Sequence, residues 1–317
     1  MRLLKISALL FFVFTSSISS AYDWALQSYD LRRAISNDSR PPEKLEPSKK
    51  LQPLNKNEGI IRRVNLFSSD VKAIALTFDM CELDTITTGC DMDVINFLRA
   101  NKIPATLFMG GKWMRTHSER VKMIMSEKIF ELANHNWSHG NCALLSDEGL
   151  KAQILWTQAE YEILREELNN ESNDNEIPDV PLLFRLPYGR NSERALKIID
   201  ELGLRVIQWD IAAEAGDNTN IAHAKKSAKK ILSMTRPGSI LLFHANLVPK
   251  GTANLLRECV KLFNEQDYKF VTVSELLTMG EPETVRDGYF TVKGDNKALD
   301  KKFGIDGTGR RTRFTGR

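Results

Sequence analysis

The sequence lacks three features that would each define a class of protein. Its 317 residues contain four cysteines, too few for the disulfide framework of small secreted domains. Its net charge of +3 is too small to make nucleic acid the main partner. The apolar run over residues 6–14 is shorter than the about 20 residues that a membrane-spanning helix needs. What remains is an ordinary globular composition, long enough for one large α/β domain with extensions or for two domains.

The N-terminus has the pattern of an export signal. Arg2 and Lys5 precede the apolar run, and small residues follow at positions 19–21. We therefore predict a cleavable signal peptide over residues 1–21, with an uncleaved anchor as the alternative. Export places the protein in a periplasm or outside the cell, without stable membrane insertion, where disulfides are permitted.

The rest of the chain divides into three parts. Residues 22–70 are polar and predict an N-terminal extension. Residues 71–277 contain about seven short apolar runs that alternate with amphipathic segments, which predicts parallel βαβ units in a barrel or a doubly wound sheet. Residues 278–317 lose this period and are basic towards the end. We expect them to form a disordered, solvated tail, or to make a weak contact with anionic cell-wall polymer or lipid.

Ionisable residues follow five of the predicted strands. The carboxyl ends of parallel strands meet at one edge of a sheet or barrel, and chemistry is found there. The sequence therefore predicts an active site at this edge. Its candidate residues are Asp79, His135, His139, Arg185, Asp210, Glu214 and His244.

The types of these side chains indicate acid–base and metal chemistry. His135 and His139 lie four residues apart, which suits one cation such as zinc, cobalt, nickel or iron. Asp79 is a candidate base and His244 a candidate acid. A buried Arg185 requires an acidic partner, for which Asp79, Glu214 and Asp210 are all candidates. The other two histidines, at positions 117 and 223, are interpreted as surface residues.

Five segments in order resemble the motifs of the polysaccharide deacetylase family, also called the NodB-homology domain or carbohydrate esterase family 4. They are TFDM at 77–80, HNWSH at 135–139, RLPYG at 185–189, a looser acidic and Trp segment at 209–217, and ILLFH at 240–244. The resemblance covers residues 71–277. It implies an α/β fold, a distorted (β/α) barrel of about seven parallel strands.

The resemblance also implies an activity, the hydrolysis of N-acetyl groups on amino sugars of a glycan such as peptidoglycan, chitooligosaccharide or exopolysaccharide. The resemblance thus implies a hydrolase of carbon–nitrogen bonds other than peptide bonds, with one divalent metal ion, zinc foremost and cobalt as an alternative. By position, His135 and His139 hold the metal and Asp79 accepts a proton from the attacking water. His244 protonates the departing amine. Arg185 orients Asp79, and the Tyr188 backbone N–H helps to hold the oxyanion. Glu214 is the remaining catalytic candidate.

One position departs from the family pattern. The second Asp of T-F-D-D, the family's third metal ligand, is Met80 here, and a thioether is a poor ligand for such cations. Cys81, Glu82 or Asp84 could replace it, the two histidines could hold the ion alone, or the site could be metal-free. We also hypothesise that a disulfide from Cys81, to Cys90 or Cys142, pins the following loop.

Two other functions share the same fold and stay open at this point. One is an amide hydrolase for a small non-glycan substrate, and the other is a non-catalytic module that binds cell-wall glycan. Trp113, Trp137 and Trp209 lie near predicted strand ends, where they could stack on sugar rings or pack the rim of the barrel.

Overall fold

The molecule is built around one large curled sheet flanked by helices. A computed structural model describes residues 23–54, 59–172 and 177–307. Within these ranges the strands are β1 Arg33–Ala34, β2 Ile60–Leu66, β3 Ala73–Met80, β4 Ile86–Thr87, β5 Ala105–Met109, β6 Phe130–Asn134, β7 Leu183–Phe184, β8 Arg205–Ile207, β9 Ile211–Ala212, β10 Ile240–His244, β11 Lys269–Val271 and β12 Gly280–Val285. The helices of the same ranges are α1 Met92–Ala100, α2 Gly111–Thr116, α3 Ser118–Met125, α4 Asp147–Ser172, α5 Glu193–Glu201, α6 Ile221–Met234, α7 Thr252–Asn264, α8 Val273–Thr278 and α9 Ala298–Phe303, with a 3-10 turn at Pro187–Gly189.

The order of strands in the large sheet is β12-β2-β8-β7-β6-β5-β3-β10-β9, and β11 also pairs with β3. All neighbours run parallel except β12, which is antiparallel to β2. Only three residues separate β8, inside the sheet, from β9 at its far edge. The sheet must therefore curl round into a half-barrel. This confirms the predicted distorted (β/α) barrel, and each of the seven predicted strands coincides with an observed one.

Strand β3 shows why these segments form buried parallel strands. Every residue from Ala73 to Met80 is buried, as expected where both faces of a parallel sheet are covered. Alternate side chains point to opposite faces. Leu76, Phe78 and Met80 pack into the core under the helices, whereas Ala73 and Ala75 pack inside the curl. Asp79 lies in register with the inner face.

The sheet extends beyond the predicted 71–277 domain at both ends. Strands β2 and β12 lie in the regions that the sequence assigned to the extensions. Arg62 in β2 is buried, lies 3.6 Å from the centroid of the Tyr289 ring and donates a 2.6 Å hydrogen bond to the Tyr289 carbonyl. This contact explains how a charged Arg62 fits within a buried strand. Its polar sequence had favoured an extension outside the domain.

The prediction of a solvated tail is wrong for residues 279–307. Asn296 is buried and donates a 2.7 Å hydrogen bond to the Gly189 carbonyl. Arg190 pairs with Asp300 at 2.6 Å. The N-terminal extension is also packed, since the Leu54 N–H donates to the Asp200 carbonyl at 2.9 Å.

Both chain ends carry predictions that lie outside the described residues. They are the signal peptide at 1–21 and the basic end of the chain from residue 308. Of the helices in the described part of the chain, none is long and apolar enough to cross a membrane.

Candidate active site

Five strands bring the candidate residues to one rim of the half-barrel. Asp79 and His244 are register partners on the paired strands β3 and β10. His135 follows β6 directly, and Arg185 follows β7. Glu214 stands two residues after β9. Because these strands are parallel, their carboxyl ends meet at the same edge, as the sequence predicts.

Arg185 pairs with Asp79, one of the three acids that the sequence left open. Its guanidinium is fully buried and donates to the Asp79 carboxylate at 2.8 Å. It also donates to the carbonyls of Ile207 and Gln208 and lies 3.9 Å from the Phe108 ring centroid. Burial acts to raise the pKa of Asp79, but the positive charge of Arg185 and the nearby histidines outweigh it and hold this pKa below its usual value. Asp79 is therefore ionised at neutral pH.

His135 presents one unused ring nitrogen to the site. Its Nδ1 lies 2.9 Å from the Arg185 carbonyl oxygen, which can only accept, so Nδ1 carries the proton. Nε2 is buried without a hydrogen-bond partner and lies 3.4 Å from the Asp79 carboxylate. Burial lowers the pKa of His135, which opposes a second proton on the ring. The free lone pair of His135 Nε2, close to a carboxylate, is therefore well placed to bind a cation.

His139 and Cys81 complete a cluster around this nitrogen. The His139 ring lies 4.9 Å from the His135 ring. One ligand atom from each of Cys81, His135 and His139 lies within 4.8 Å of the others, and no other such group of three occurs in the described ranges. Burial lowers the pKa of His139 well below its usual value, so this imidazole is also neutral. Neutral imidazoles and a sulfur are ligands that zinc and cobalt accept, so the residues fit the metal that the family implies.

The carboxylates considered as replacements for Met80 do not join this cluster. Glu82 is buried and accepts hydrogen bonds from the Thr88 N–H and the Thr116 hydroxyl, each at 3.0 Å. It also pairs with Lys112 at 3.6 Å. Glu82 therefore anchors its own loop.

The disulfide hypothesis is wrong. All four cysteines are free thiols, and Cys81 is directed to the histidine cluster. Cys90 contacts Met92, with the two sulfurs 3.7 Å apart, and the Cys142 sulfur lies 3.3 Å from the Asn136 amide.

His244 is paired with Glu214 at the same rim. Its Nδ1 donates to the Glu214 carboxylate at 2.5 Å, and the Thr252 hydroxyl donates to the other carboxylate oxygen. Burial acts to lower the pKa of His244, but Glu214 and Asp79 raise it above the usual value. The raised pKa favours the protonated, positively charged form of the ring. Its side chain is 28% exposed, so this proton is within reach of a ligand.

Asp210, by contrast, has a structural role. Its carboxylate accepts hydrogen bonds from the Ser239 hydroxyl at 2.8 Å and from the Ile240 N–H at 2.9 Å. These bonds hold the start of β10, away from the cluster. Glu214, two residues beyond β9, is the acid of this segment that reaches the rim.

Tyr188 stands beside the cluster on a strained turn. Its φ of 59° is in the left-handed region, which non-glycine residues seldom adopt. Its ring lies 4.3 Å from that of His139 and stacks on Phe303 at 5.0 Å. Strain of this kind is found at ligand sites. The role of its backbone N–H stays a prediction.

The cluster opens into a cleft of about 700 Å³. Phe290, Leu299 and Phe303 form part of its wall, so the C-terminal segment contributes to the site. This segment has no hydrophobic period from which its contribution could have been predicted.

The three tryptophans are buried. Trp113 and Trp137 are completely buried and Trp209 is 1% exposed. Of the two interpretations, packing at the rim of the barrel is therefore correct, and stacking on sugar rings is not. Trp209 donates its indole N–H to the Phe290 carbonyl at 3.1 Å.

His117 corrects another prediction, because it is buried rather than exposed. Its ring stacks on Trp113 at 4.3 Å and on Tyr29 at 5.6 Å. Burial lowers its pKa to about 4. The partner Tyr29 belongs to the N-terminal extension, which explains why the surrounding polar sequence was misleading.

Comparison with known proteins identifies the family. A sequence model described as polysaccharide deacetylase matches residues 68–207. The peptidoglycan-N-acetylglucosamine deacetylase of Bacillus cereus is 30% identical over 213 residues, which are 65% of this chain and 88% of that protein. This chain therefore belongs to the polysaccharide deacetylase family, a family of hydrolases, as the motifs indicate.

Two further relatives agree. The peptidoglycan-N-acetylglucosamine deacetylase of Listeria monocytogenes is 29% identical over 219 residues, which are 69% of this chain and 41% of that protein. A family 4 carbohydrate esterase from Bacillus anthracis, of known structure, has the same fold. Its TM-score is 0.51 and its identity 26%, over 72% of this chain and 90% of that one.

Proposed function

We propose that this protein is a metal-dependent hydrolase that removes N-acetyl groups from the amino sugars of an N-acetylated glycan. The observation that carries the proposal is a carboxylate and an imidazole, Asp79 and His244, side by side on neighbouring strands. Arg185 favours the ionised form of Asp79, and Glu214 favours the protonated form of His244, which is the register partner of Asp79. A base and an acid with pKa values displaced in opposite directions are what amide hydrolysis requires.

His135 and His139 would hold the metal ion. When bound, such an ion polarises the acetyl carbonyl and lowers the pKa of water from about 15.7 towards 7. Asp79 accepts a proton from the attacking water, and the new C–O bond forms at the acetyl carbon. His244 then gives its proton to the amine as the C–N bond breaks. The products are acetate and a free amino sugar.

Arg185 and Tyr188 support these steps. Arg185 fixes one oxygen of Asp79 and leaves the other facing the cluster. The backbone N–H of Tyr188 would stabilise charge on the carbonyl oxygen, an effect worth about 3 kcal/mol in comparable sites.

The substrate class rests on the cleft and on the relatives. Tyr188, Phe290 and Phe303 line the cleft, and aromatic rings of this kind suit the apolar faces of sugars. The names of the relatives indicate peptidoglycan or chitooligosaccharide. Together with the predicted signal peptide, these names support action in a periplasm or outside the cell.

The test is acetate release by the purified protein. We expect release from peptidoglycan or N-acetylglucosamine oligomers that a chelator stops and that zinc or cobalt restores. Asp79→Asn should lower the rate by about 10²–10⁴-fold. Asp210→Asn is the matched control, because this partly buried acid holds the start of β10 and lies outside the cluster.

Each contrary result points elsewhere. Unchanged turnover in Asp79→Asn would refute the mechanism. Glycan binding without turnover would favour the non-catalytic module, and turnover of small amides alone would favour the small-amide hydrolase.

A further inference from the structure

We propose that Cys81 is the third protein ligand of the metal site, as a thiolate in place of the family's carboxylate. The inference rests on the metal-binding part of the proposed function. It defines a site of two imidazoles and one thiolate, which selects zinc or cobalt over magnesium, manganese and calcium.

The geometry of β3 excludes Met80 and favours Cys81. Side chains alternate along a strand, so Asp79 and Cys81 are directed to one face and Met80 to the other. Met80 is completely buried among the apolar side chains under the helices. The Cys81 sulfur instead joins the nitrogens of His135 and His139, all within 4.8 Å. Ligands of one tetrahedral zinc ion lie about 3.5 Å apart, which small side-chain rotations would reach.

His135 provides an independent indication of a ligand at this point. Its Nδ1 is occupied by the Arg185 carbonyl, so Nε2 is the nitrogen left for a metal. Nε2 is buried and has no hydrogen-bond partner. A carbonyl oxygen that fixes the ring of a ligating histidine in this way is a regular feature of metal sites.

The protein also fixes the backbone of Cys81. Its carbonyl accepts hydrogen bonds from the Thr88 hydroxyl and the Asn246 amide, both at 2.9 Å. The same amide lies 3.9 Å from the Cys81 sulfur, where it can stabilise negative charge. Lys112 holds the following residues by donating to the Leu83 carbonyl at 2.6 Å.

The chemistry of the ligand set decides the metal. Binding of M²⁺ converts the Cys81 thiol to a metal thiolate and releases one proton. Thiolate and imidazole favour zinc and related ions, whereas magnesium, calcium and manganese prefer oxygen. Two histidines and one cysteine also leave a fourth position open, as catalytic zinc sites do. Asp79 keeps its role as the base of the proposed function, with one oxygen held by Arg185 and the other facing the cluster.

The test is cobalt titration of the metal-stripped protein, read by absorbance without substrate. The wild type should develop a thiolate-to-cobalt charge-transfer band in the near ultraviolet, with release of one proton per ion. Zinc should abolish the band by competition, and excess magnesium should not.

Two variants and one control separate the explanations. Cys81→Ser should lose the band and bind more weakly by more than the about 10–100-fold that outer-shell changes cause. Cys81→Asp should bind cobalt without the band. Cys259→Ser should keep the band, because Cys259 is buried on α7 and is no member of the cluster.

A wild-type cobalt complex without the band, or an unchanged band in Cys81→Ser, would overturn the assignment. Failure of the proposed function looks different. A cobalt thiolate complex with no acetate release on any glycan would sink that function and leave Cys81 as the ligand. Metal-dependent acetate release without the charge-transfer band would support the proposed function and overturn Cys81 as the ligand.

Discussion

Arg185→Met should be the most destabilising single change at this site. The substitution keeps most of the side-chain volume beside Phe108 and removes the charge. It leaves the Asp79 carboxylate buried without its 2.8 Å partner, and removes the hydrogen bonds that Arg185 donates to the Ile207 and Gln208 carbonyls.

The magnitude follows from the burial of both partners. The side chain of Arg185 is fully buried and that of Asp79 is 6% exposed, so solvent screens neither charge. Breaking such a pair by removing one partner typically costs about 3–5 kcal/mol. At about 2–4 °C per kcal/mol for a domain of this class, the melting temperature should fall by roughly 10 °C. The pKa of Asp79 should rise, because its largest lowering influence is gone.

Urea unfolding of four proteins measures this loss. They are the wild type, Arg185→Met, Asp79→Asn and the double variant. The double variant should be more stable than the sum of the single losses predicts, because a neutral amide does not need the cation. Arg190→Met is the matched control. Its 2.6 Å pair with Asp300 is partly exposed and should be worth less than about 1 kcal/mol. Equal losses in Arg185→Met and Arg190→Met, or additive losses in the double variant, would refute the reasoning.

Two further predictions concern pH. Glu214→Gln removes the main influence that raises the pKa of His244 and leaves the burial that lowers it, so the acid loses its proton at a lower pH. The alkaline limb of the kcat profile for acetate release should therefore move to lower pH, and an unmoved limb would contradict the acid role. His117 has a folded pKa of about 4 against 6.5 when exposed, so the unfolded chain binds the extra proton first as pH falls. Unfolding free energy should thus drop by about 3 kcal/mol between pH 6.5 and 4. His117→Phe should lose that part of the drop in urea titrations, and parallel curves for the two proteins would show that His117 is not the cause.

Strand ends were predictable because two local signals coincide there. Short apolar runs define buried parallel strands, and a parallel arrangement brings their carboxyl ends together. Asp79, His135, Arg185 and His244 follow from that rule alone. It was also predictable that Met80 is not a metal ligand, because side chains alternate along a strand and Met80 therefore lies on the opposite face from Asp79.

Partner choice at the site was not predictable. The sequence left three acids as candidate partners of Arg185. The fold pairs Asp79 with Arg185, Glu214 with His244, and Asp210 with the start of β10. These pairings join residues 29–106 positions apart. Distances of this kind depend on how the sheet curls.

The sequence by itself determined the parallel βαβ units and the edge where the candidate site lies, because these depend on local periodicity and on residue types at strand ends. The barrel and the family followed from the resemblance of its five motifs. Only the tertiary structure decided the rest. It packed the C-terminal segment against the cleft and buried His117 against Tyr29. It also directed Cys81 to the two histidines instead of to another cysteine. Each of these contacts joins segments whose local pattern is polar or aperiodic. Their burial becomes favourable only when another part of the chain supplies the matching hydrogen bonds and apolar surface.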